Sequence, residues 1–202
     1  MGIPYQASPE VKVDLVSVSE PGQLIKAWLS AYELGTPTEP DRYIVLRNGP
    51  LTDGAFIRVE SACIGHMFRL ARCDCYDQLV MAMDRLADDN SYAIIYGYDQ
   101  DGRANGPLDH IAAIKRMDED GISLSQVYRE RDRRSYQRAA FLIRELLGLS
   151  AIRLLTNNPD RLAALGGSGL EVERVPFEAT SRSESSRVMR WKKDEEGHLL
   201  TP

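Results

Sequence analysis

Hydrophobic and polar residues alternate in several short stretches of the chain, which is the pattern of β-strands with one buried face. VKVDLVSV, at Val11–Val18, alternates over its length, and SYAIIYGY, at Ser91–Tyr98, is an apolar run that predicts a buried strand. DRYIVLRNG ends on Asn48 and Gly49, a pair typical of tight turns. The predicted strands are 11–18, 41–49, 55–62, 91–98, 150–156 and 170–177.

Other stretches have apolar residues at helical spacing. In DQLVMAMDRLADD, Leu79, Met83 and Leu86 recur three or four positions apart, which predicts an amphipathic helix. Two further amphipathic stretches end at Gly121 and Gly148, and glycine is the residue that most often ends a helix. The predicted helices are 23–32, 77–89, 108–121, 135–148 and 157–169.

The order of these elements predicts the fold class. Strands alternate with helices from about residue 91 onward, which predicts an α/β (α+β) fold with a mixed β-sheet flanked by helices. The sequence divides into an N-terminal extension with one strand and one helix, 1–44, a central domain, 45–180, and a polar tail, 181–202. Because the tail contains SRSESSR and KKDEEGH and few apolar residues, we expect it to be loosely held.

Composition and charge narrow the class of protein. Of the 202 residues, 43% are hydrophobic and 27% are charged, which is ordinary for a globular protein with one sizeable core. The formal net charge of −5 argues against general nucleic-acid binding, which usually needs a basic surface. No apolar run approaches the roughly 18 residues that cross a bilayer, and no signal peptide is evident. We therefore expect a cytoplasmic protein that binds neither nucleic acid nor membrane.

All three cysteines lie in one short segment, CIGHMFRLARCDC. Cytoplasmic thiols stay reduced, so clustered cysteines there bind metal or do chemistry more often than they form disulfides. Cys63, Cys73 and Cys75 offer three thiolates without a fourth, which is the pattern of a catalytic zinc with one open position. Two alternatives stay open: the cysteines are small buried residues, or His66 is a fourth ligand of a structural site.

Four motifs then occur in order along the chain: RVESAC with RCDCYDQL, DQDGRANG, LLTNNPDRLAALGGSGLEVERVPF, and GHLL. Together they resemble GTP cyclohydrolase II, and the resemblance covers about residues 45–200. It implies that the central domain is a cyclohydrolase II-like catalytic domain. That domain would hold one zinc ion on the three cysteines, bind GTP, with Mg²⁺ on the triphosphate, and form a homodimer. The family removes pyrophosphate from GTP and hydrolyses the imidazole ring at C8, releasing formate.

The resemblance also implies a set of nucleotide contacts. Asp101 stands where the family has Glu, and an ionised carboxylate suits guanine because N1–H and the amino group are donors. Arg103 can pair with a phosphate through two hydrogen bonds. Ser123 keeps the hydroxyl of a family Thr. Without a ligand, TNNP at 156–159 would be a helix-starting turn. The implied contacts are Arg58, Gln78, Asp101, Gly102, Arg103, Ser123, Thr156 and Arg161.

DRRSY, at 132–136, has the family's Asp-x-Arg-x-aromatic pattern. By the resemblance, Asp132 would accept a proton and Arg134 would engage the α-phosphate. The region that leads into this motif is shorter than in the family, and Arg131 and Arg133 are rivals for the role of Arg134. The alternative is that the stretch is a solvated, charged helix start.

The chain departs from the family pattern at several positions. Ile114 stands where the family has a catalytic Tyr, and its side chain cannot donate a proton. Glu60 replaces a His and Ala62 replaces a Glu beside the first cysteine. Tyr98 and Asp99 replace His-Arg, and Asp99 would add negative charge close to a phosphate site. This pattern is that of a paralogue with a changed product or substrate.

Three functions remain from the sequence. The favoured one is a zinc hydrolase of GTP that goes through to the diaminopyrimidine or halts at the formamide. The second is an enzyme of another nucleotide or heterocyclic base, in specialised metabolism or pyrimidine breakdown. The third is a zinc- and nucleotide-binding protein without turnover. Release of formate and pyrophosphate distinguishes them.

Overall fold

The computed structural model describes residues 2–88, 90–128, 132–179 and 185–200. Within them, the strands form one eight-stranded mixed sheet. The strands are β1 Tyr5–Ala7, β2 Val11–Val16, β3 Leu24–Thr36, β4 Glu39–Asn48, β5 Ala55–Ser61, β6 Tyr92–Gly97, β7 Ala151–Leu155 and β8 Glu171–Val175. The helices are α1 Ile64–Phe68, α2 Cys75–Asp88, α3 Asp101–Ala104, α4 Pro107–Asp120, α5 Leu124–Tyr128, α6 Tyr136–Phe141, α7 Pro159–Gly166 and α8 Ser186–Glu196.

The sheet has an antiparallel half and a parallel half. Its order is β1-β3-β4-β6-β5-β7-β8, with β2 also paired to β3. The pairs from β1 through β6 on this path are antiparallel, whereas β6–β5, β5–β7 and β7–β8 are parallel. The carboxyl ends of β5, β6, β7 and β8 therefore meet at one edge of the sheet, where α/β folds place their ligands.

Helices cover both faces of this sheet. Successive side chains of a strand point to opposite faces. On one face, Ile57 and Ile95 join the core cluster that includes Leu142 of the α6 region. On the other, Ile94 packs in a cluster with Leu86 of α2. The predicted mixed sheet flanked by helices is thus confirmed.

Most predicted elements are present with ends shifted by a few residues, but two predictions are wrong. The segment predicted as a helix at 23–32 lies in β3, where Ile25 and Ala27 are buried and the backbone pairs with β4. The polar tail predicted to be loosely held contains α8, in which Val188 and Met189 are buried. The helix predicted at 135–148 begins as α6 and continues as a π-turn over Leu142–Leu146.

The strands of the N-terminal region, 1–44, belong to the same sheet as the rest of the chain. The division at 45 and 181 stays a prediction. Among the described residues, no helix combines the length and the apolar character needed to cross a membrane.

Candidate metal and nucleotide site

A cavity of about 170 Å³ lies at the carboxyl ends of the parallel strands. Its walls come from the segments after β5, β6, β7 and β8, and from α2, α4 and α8. The lining includes most of the side chains that the sequence predicts: Arg58, Cys63, Cys73, Cys75, Gln78, Gly102, Arg103, Arg134, Thr156 and Arg161. Asp101, Ser123 and Asp132 are not part of this lining. Asp101 and Asp132 contact the lining residues His110 and Arg134, and Ser123 donates to Glu195.

The three cysteines converge from two elements. Cys63 follows β5 and caps α1, where its sulfur accepts a hydrogen bond from the Gly65 N–H at 3.2 Å. Cys75 begins α2, and Cys73 lies in the loop before it. The three sulfur atoms lie within 4.8 Å of one another. Gly65 is necessary for this approach, since a Cβ there would collide with the Cys73 sulfur and lie 3.1 Å from that of Cys63.

Hydrogen bonds among the three thiols shift the pKa values of Cys73 and Cys63 in opposite directions. Hydrogen bonds from Cys63 and Cys75 lower the pKa of Cys73 to about 2, while the same contact with Cys73 raises the pKa of Cys63 to about 12. Three thiolates so close repel one another unless a cation lies between them. Three thiolates are also the ligands that zinc prefers, so the residues present suit this metal.

His66 does not join the sulfur cluster. Its Nδ1 lies 3.4 Å from the Tyr96 hydroxyl, and its Nε2 lies 3.7 Å from Glu60 Oε1. Burial lowers the pKa of His66, which favours the neutral ring. A second group of potential ligand atoms within 4.8 Å of one another consists of Cys63, Asp101 and His110.

Arg58 is held rigidly in the wall. It is 3% exposed, donates from Nε to Glu60 at 2.6 Å and from Nη2 to Gln78 Oε1 at 2.7 Å, and stacks on the Phe177 ring. Gln78 in turn donates to Asp74, the residue between two of the cysteines. The cysteine segment and the part of the cavity wall around Arg58 are therefore joined by one hydrogen-bond network.

The two carboxylate oxygens of Asp101 differ in their hydrogen bonds. Its Oδ1 accepts from the Ile64 N–H at 3.1 Å and lies 2.7 Å from His110 Nδ1, whereas Oδ2 is buried and has no hydrogen-bond partner in the described part of the chain. Burial alone would raise the pKa of Asp101, but the contact with His110 outweighs it and lowers the pKa. Asp101 is therefore an ionised acceptor with one oxygen free.

His110 is a site residue that the sequence reasoning missed. It lies on α4 one turn before Ile114, and both residues line the cavity. That spacing on one helix face was the available signal.

Asp132 lies between two guanidinium groups. Arg134 donates to it from Nε at 2.9 Å and from Nη2 at 2.6 Å, and Arg103 donates at 3.3 Å. Burial would raise the pKa of Asp132, but these arginines together lower it. Of the rivals, Arg133 is exposed and donates its backbone N–H to the Arg103 carbonyl, and Arg131 lies outside the described residues.

Thr156 and Arg161 flank the start of α7. Asn158 caps this helix and accepts from the N–H groups of Asp160 and Arg161, so the predicted helix-starting turn is confirmed. Thr156 is fully buried and accepts from the Asn158 N–H. Arg161 is 6% exposed and, among the described residues, has no ion-pair partner. Burial lowers the pKa of Arg161, so this cation lacks the compensation that an anionic ligand would give.

The family model for GTP cyclohydrolase II matches residues 27–176, more than half of the chain. The chain belongs to the GTP cyclohydrolase II family. Three relatives are riboflavin biosynthesis proteins RibBA. That of Cytophaga hutchinsonii is 37% identical over 150 residues, 71% of this chain and 36% of the relative. That of Bacillus mycoides is 34% identical over 166 residues, which are 78% of this chain and 41% of the relative. That of Mycobacteroides abscessus is 36% identical over 160 residues, which are 76% of this chain and 38% of the relative. The chain thus spans about two fifths of these relatives.

The departures from the GTP cyclohydrolase II pattern differ in their places. Ala62 and Ile114 line the cavity, so they alter its surface directly. Glu60 also lines the cavity, but it is buried and its carboxylate pairs with Arg58. Asp99 is not part of the lining, and its carboxylate pairs with Arg42 at 3.2 Å. The negative charge that Asp99 was expected to bring to the phosphate site is therefore neutralised outside the cavity.

Proposed function

We propose that this chain is a zinc-dependent hydrolase that opens the imidazole ring of GTP at C8 and releases formate and pyrophosphate. The observation that carries the proposal is the convergence on one cavity of three sulfur atoms and a buried arginine, Arg161, that has no ion-pair partner among the described residues. Membership of the GTP cyclohydrolase II family supports it. The cytoplasmic location and the homodimer stay predictions.

Cys63, Cys73 and Cys75 would hold the metal. Zinc held there would supply Lewis acidity and a source of hydroxide near neutral pH. Hydrogen bonds hold the cysteine segment beside Arg58 in the cavity wall. Gln78 donates to Asp74, which lies between two of the cysteines, and Arg58 donates to Gln78. A nucleobase that contacts Arg58 and Gln78 would therefore have its ring close to the metal position.

The base and the phosphates would have separate contacts at this site. Asp101 Oδ2 is an ionised acceptor that needs a donor, and guanine offers two such donors on adjacent atoms. Arg161 is a buried cation that needs an anion. A guanine nucleotide supplies both groups in one ligand, and a neutral heterocycle supplies only the first.

Asp132 and Arg134 would complete the reaction. Arg134 lines the cavity and would engage the α-phosphate. Asp132 is ionised and hydrogen-bonded to Arg134, so it can accept a proton only when phosphate contacts draw the arginine away. The two residues would therefore act in sequence.

Ile114 favours a second candidate product. Its side chain faces the cavity and can neither donate nor accept a proton. Because the family has a Tyr there, the second hydrolysis would be the step most affected. The formamide is then the expected product if no other group replaces the Tyr. Action on another nucleotide or base is the alternative that the altered lining at Ala62 and Ile114 supports.

The test is a mass-spectrometric time course of the zinc-loaded protein with GTP and Mg²⁺, following GTP, pyrophosphate, formate and the ring-opened mass. Formate with pyrophosphate supports the full reaction. A formamide without formate would indicate a block at the second step, and I114Y should then restore formate. Intact GTP would contradict the proposal and direct a screen of other nucleotides and bases. If zinc and nucleotide bind without turnover, the chain is a binding protein.

A further inference from the structure

One face of α8 covers the cavity. Val188, Lys192 and Glu196 all line it, and their spacing of four residues places them on the same side of the helix. His198 and Leu200, just beyond the helix, line the cavity as well. The carboxyl-terminal segment is thus a wall of the nucleotide site.

Charged contacts attach this wall at two places. Lys192 Nζ lies 2.5 Å from Asp74, which is 1% exposed and lies in the metal loop. At the other end, Glu196 Oε1 accepts hydrogen bonds from Arg103 and Ser125, and Oε2 lies 3.5 Å from His198. Burial alone would raise the pKa of Glu196, but these three groups lower it, so the carboxylate is ionised.

The Arg103 guanidinium is already paired with two carboxylates. Asp132 lies 3.3 Å from one of its terminal nitrogens, and Glu196 bonds to the other. A guanidinium binds carboxylate and phosphate oxygens with the same geometry. A phosphate that approaches Arg103 must therefore replace Glu196 or lie beside it, where like charges repel.

We propose that Glu196 is a specificity-determining residue that occupies the anion position at Arg103 and competes there with the phosphate chain of the nucleotide. The inference rests on the proposed function in so far as the ligand is a nucleoside triphosphate. Removing the Glu196 carboxylate should strengthen the binding of a ligand in proportion to the number of its phosphate charges. The binding of an uncharged nucleoside should stay unchanged.

The experiment measures the dissociation constants of GTP, inorganic triphosphate and guanosine for the zinc-loaded full chain by calorimetry. The variants are E196Q and, as a control of equal charge change on the exposed face of α8, D194N. In E196Q we expect Kd for GTP and triphosphate to fall about 10-fold, as for the loss of a partly buried like-charge contact. Guanosine binding, and all binding by D194N, should stay unchanged.

An unchanged or higher Kd for triphosphate in E196Q would overturn the proposal, as would an equal effect in D194N or on guanosine. If E196Q fails to fold, S125A removes one donor to Glu196 without a charge change. It should lower Kd for triphosphate by about 2-fold or more, the lower bound of the net worth of one hydrogen bond, and no effect would overturn the proposal. Tighter triphosphate binding without formate release from GTP would contradict the proposed function alone.

Discussion

Arg161 combines burial with the absence of an ion-pair partner among the described residues. We predict that R161M makes the nucleotide-free protein more stable and weakens nucleotide binding. An uncompensated buried cation loses its hydration on folding, and Arg58 and Arg134 add repulsion. Methionine keeps much of the aliphatic stem, which packs beside the Tyr136 ring, and removes the charge.

The magnitude follows from known replacements. Substituting apolar residues for buried ionic groups is often stabilising by about 1–4 kcal/mol. We take about 2 kcal/mol here, because Glu60 attracts Arg161 and offsets part of the cost. For a chain of this length each kcal/mol shifts Tm by about 2–4 °C, so Tm should rise by about 4–8 °C.

The assay is differential scanning calorimetry with and without GTP. The wild-type chain should gain Tm on adding GTP, and R161M should gain much less because the anion contact is absent. R116M, on the exposed face of α4, is the control and should stay within about 0.5 kcal/mol of wild type. A fall in the Tm of nucleotide-free R161M would refute the reasoning, since it would mean that the charge stabilises the folded state.

Three further predictions follow from single residues. By elemental analysis, the wild-type chain should hold about one zinc ion and C73A should hold none. The far-ultraviolet circular dichroism of C73A should change little, and zinc retained by C73A would count against the site. D132N should lower the free energy of unfolding by about 1 kcal/mol at pH 7, because solvent screens its ion pairs with Arg134 and Arg103. Because the folded pKa of Asp132 is lowered, its stabilisation is present above its unfolded pKa of about 3.9 and is lost as pH falls through the folded value. Urea unfolding at pH 7 and pH 3 should show that difference shrink, and an equal difference at both would contradict it. L154A, at a fully buried position of β7, should cost about 3 kcal/mol, against under about 0.5 kcal/mol for the exposed L24A.

The parts of the site that the sequence predicted are carried by local patterns. The cysteines fall in one segment, and Asn158 precedes a proline at a helix start, so each pattern needs only neighbouring residues. The contacts of α8 are different. Lys192 and Asp74 are 118 residues apart, and Glu196 and Arg103 are 93 apart. No local pattern indicates such pairs, so the segment was predicted to be a loose tail.

The error at β3 has a related cause. LIKAWLSAYELG contains good helix formers and spacing that suits either element. Its conformation is decided by partners that lie elsewhere, since β1 and β2 pair along one edge and β4 along the other. Strand preference depends on such pairing more than on intrinsic propensity. His110 was missed for a different reason: its helical spacing to Ile114 was legible, but its contact with Asp101 follows from the fold.

The wide separation of Asp74 and Lys192 also orders events during synthesis of the chain. The cysteine segment is local, so it can capture a metal ion early. Lys192 emerges 118 residues after Asp74, which at about 5–20 residues per second is roughly 6–24 s later. For that time the cysteine segment lacks the contact between Lys192 and Asp74 that its carboxyl-terminal cover provides. Under the proposed function, metal loading would therefore precede nucleotide binding during synthesis, and the cysteines would be most accessible to cellular thiols and oxidants in this interval.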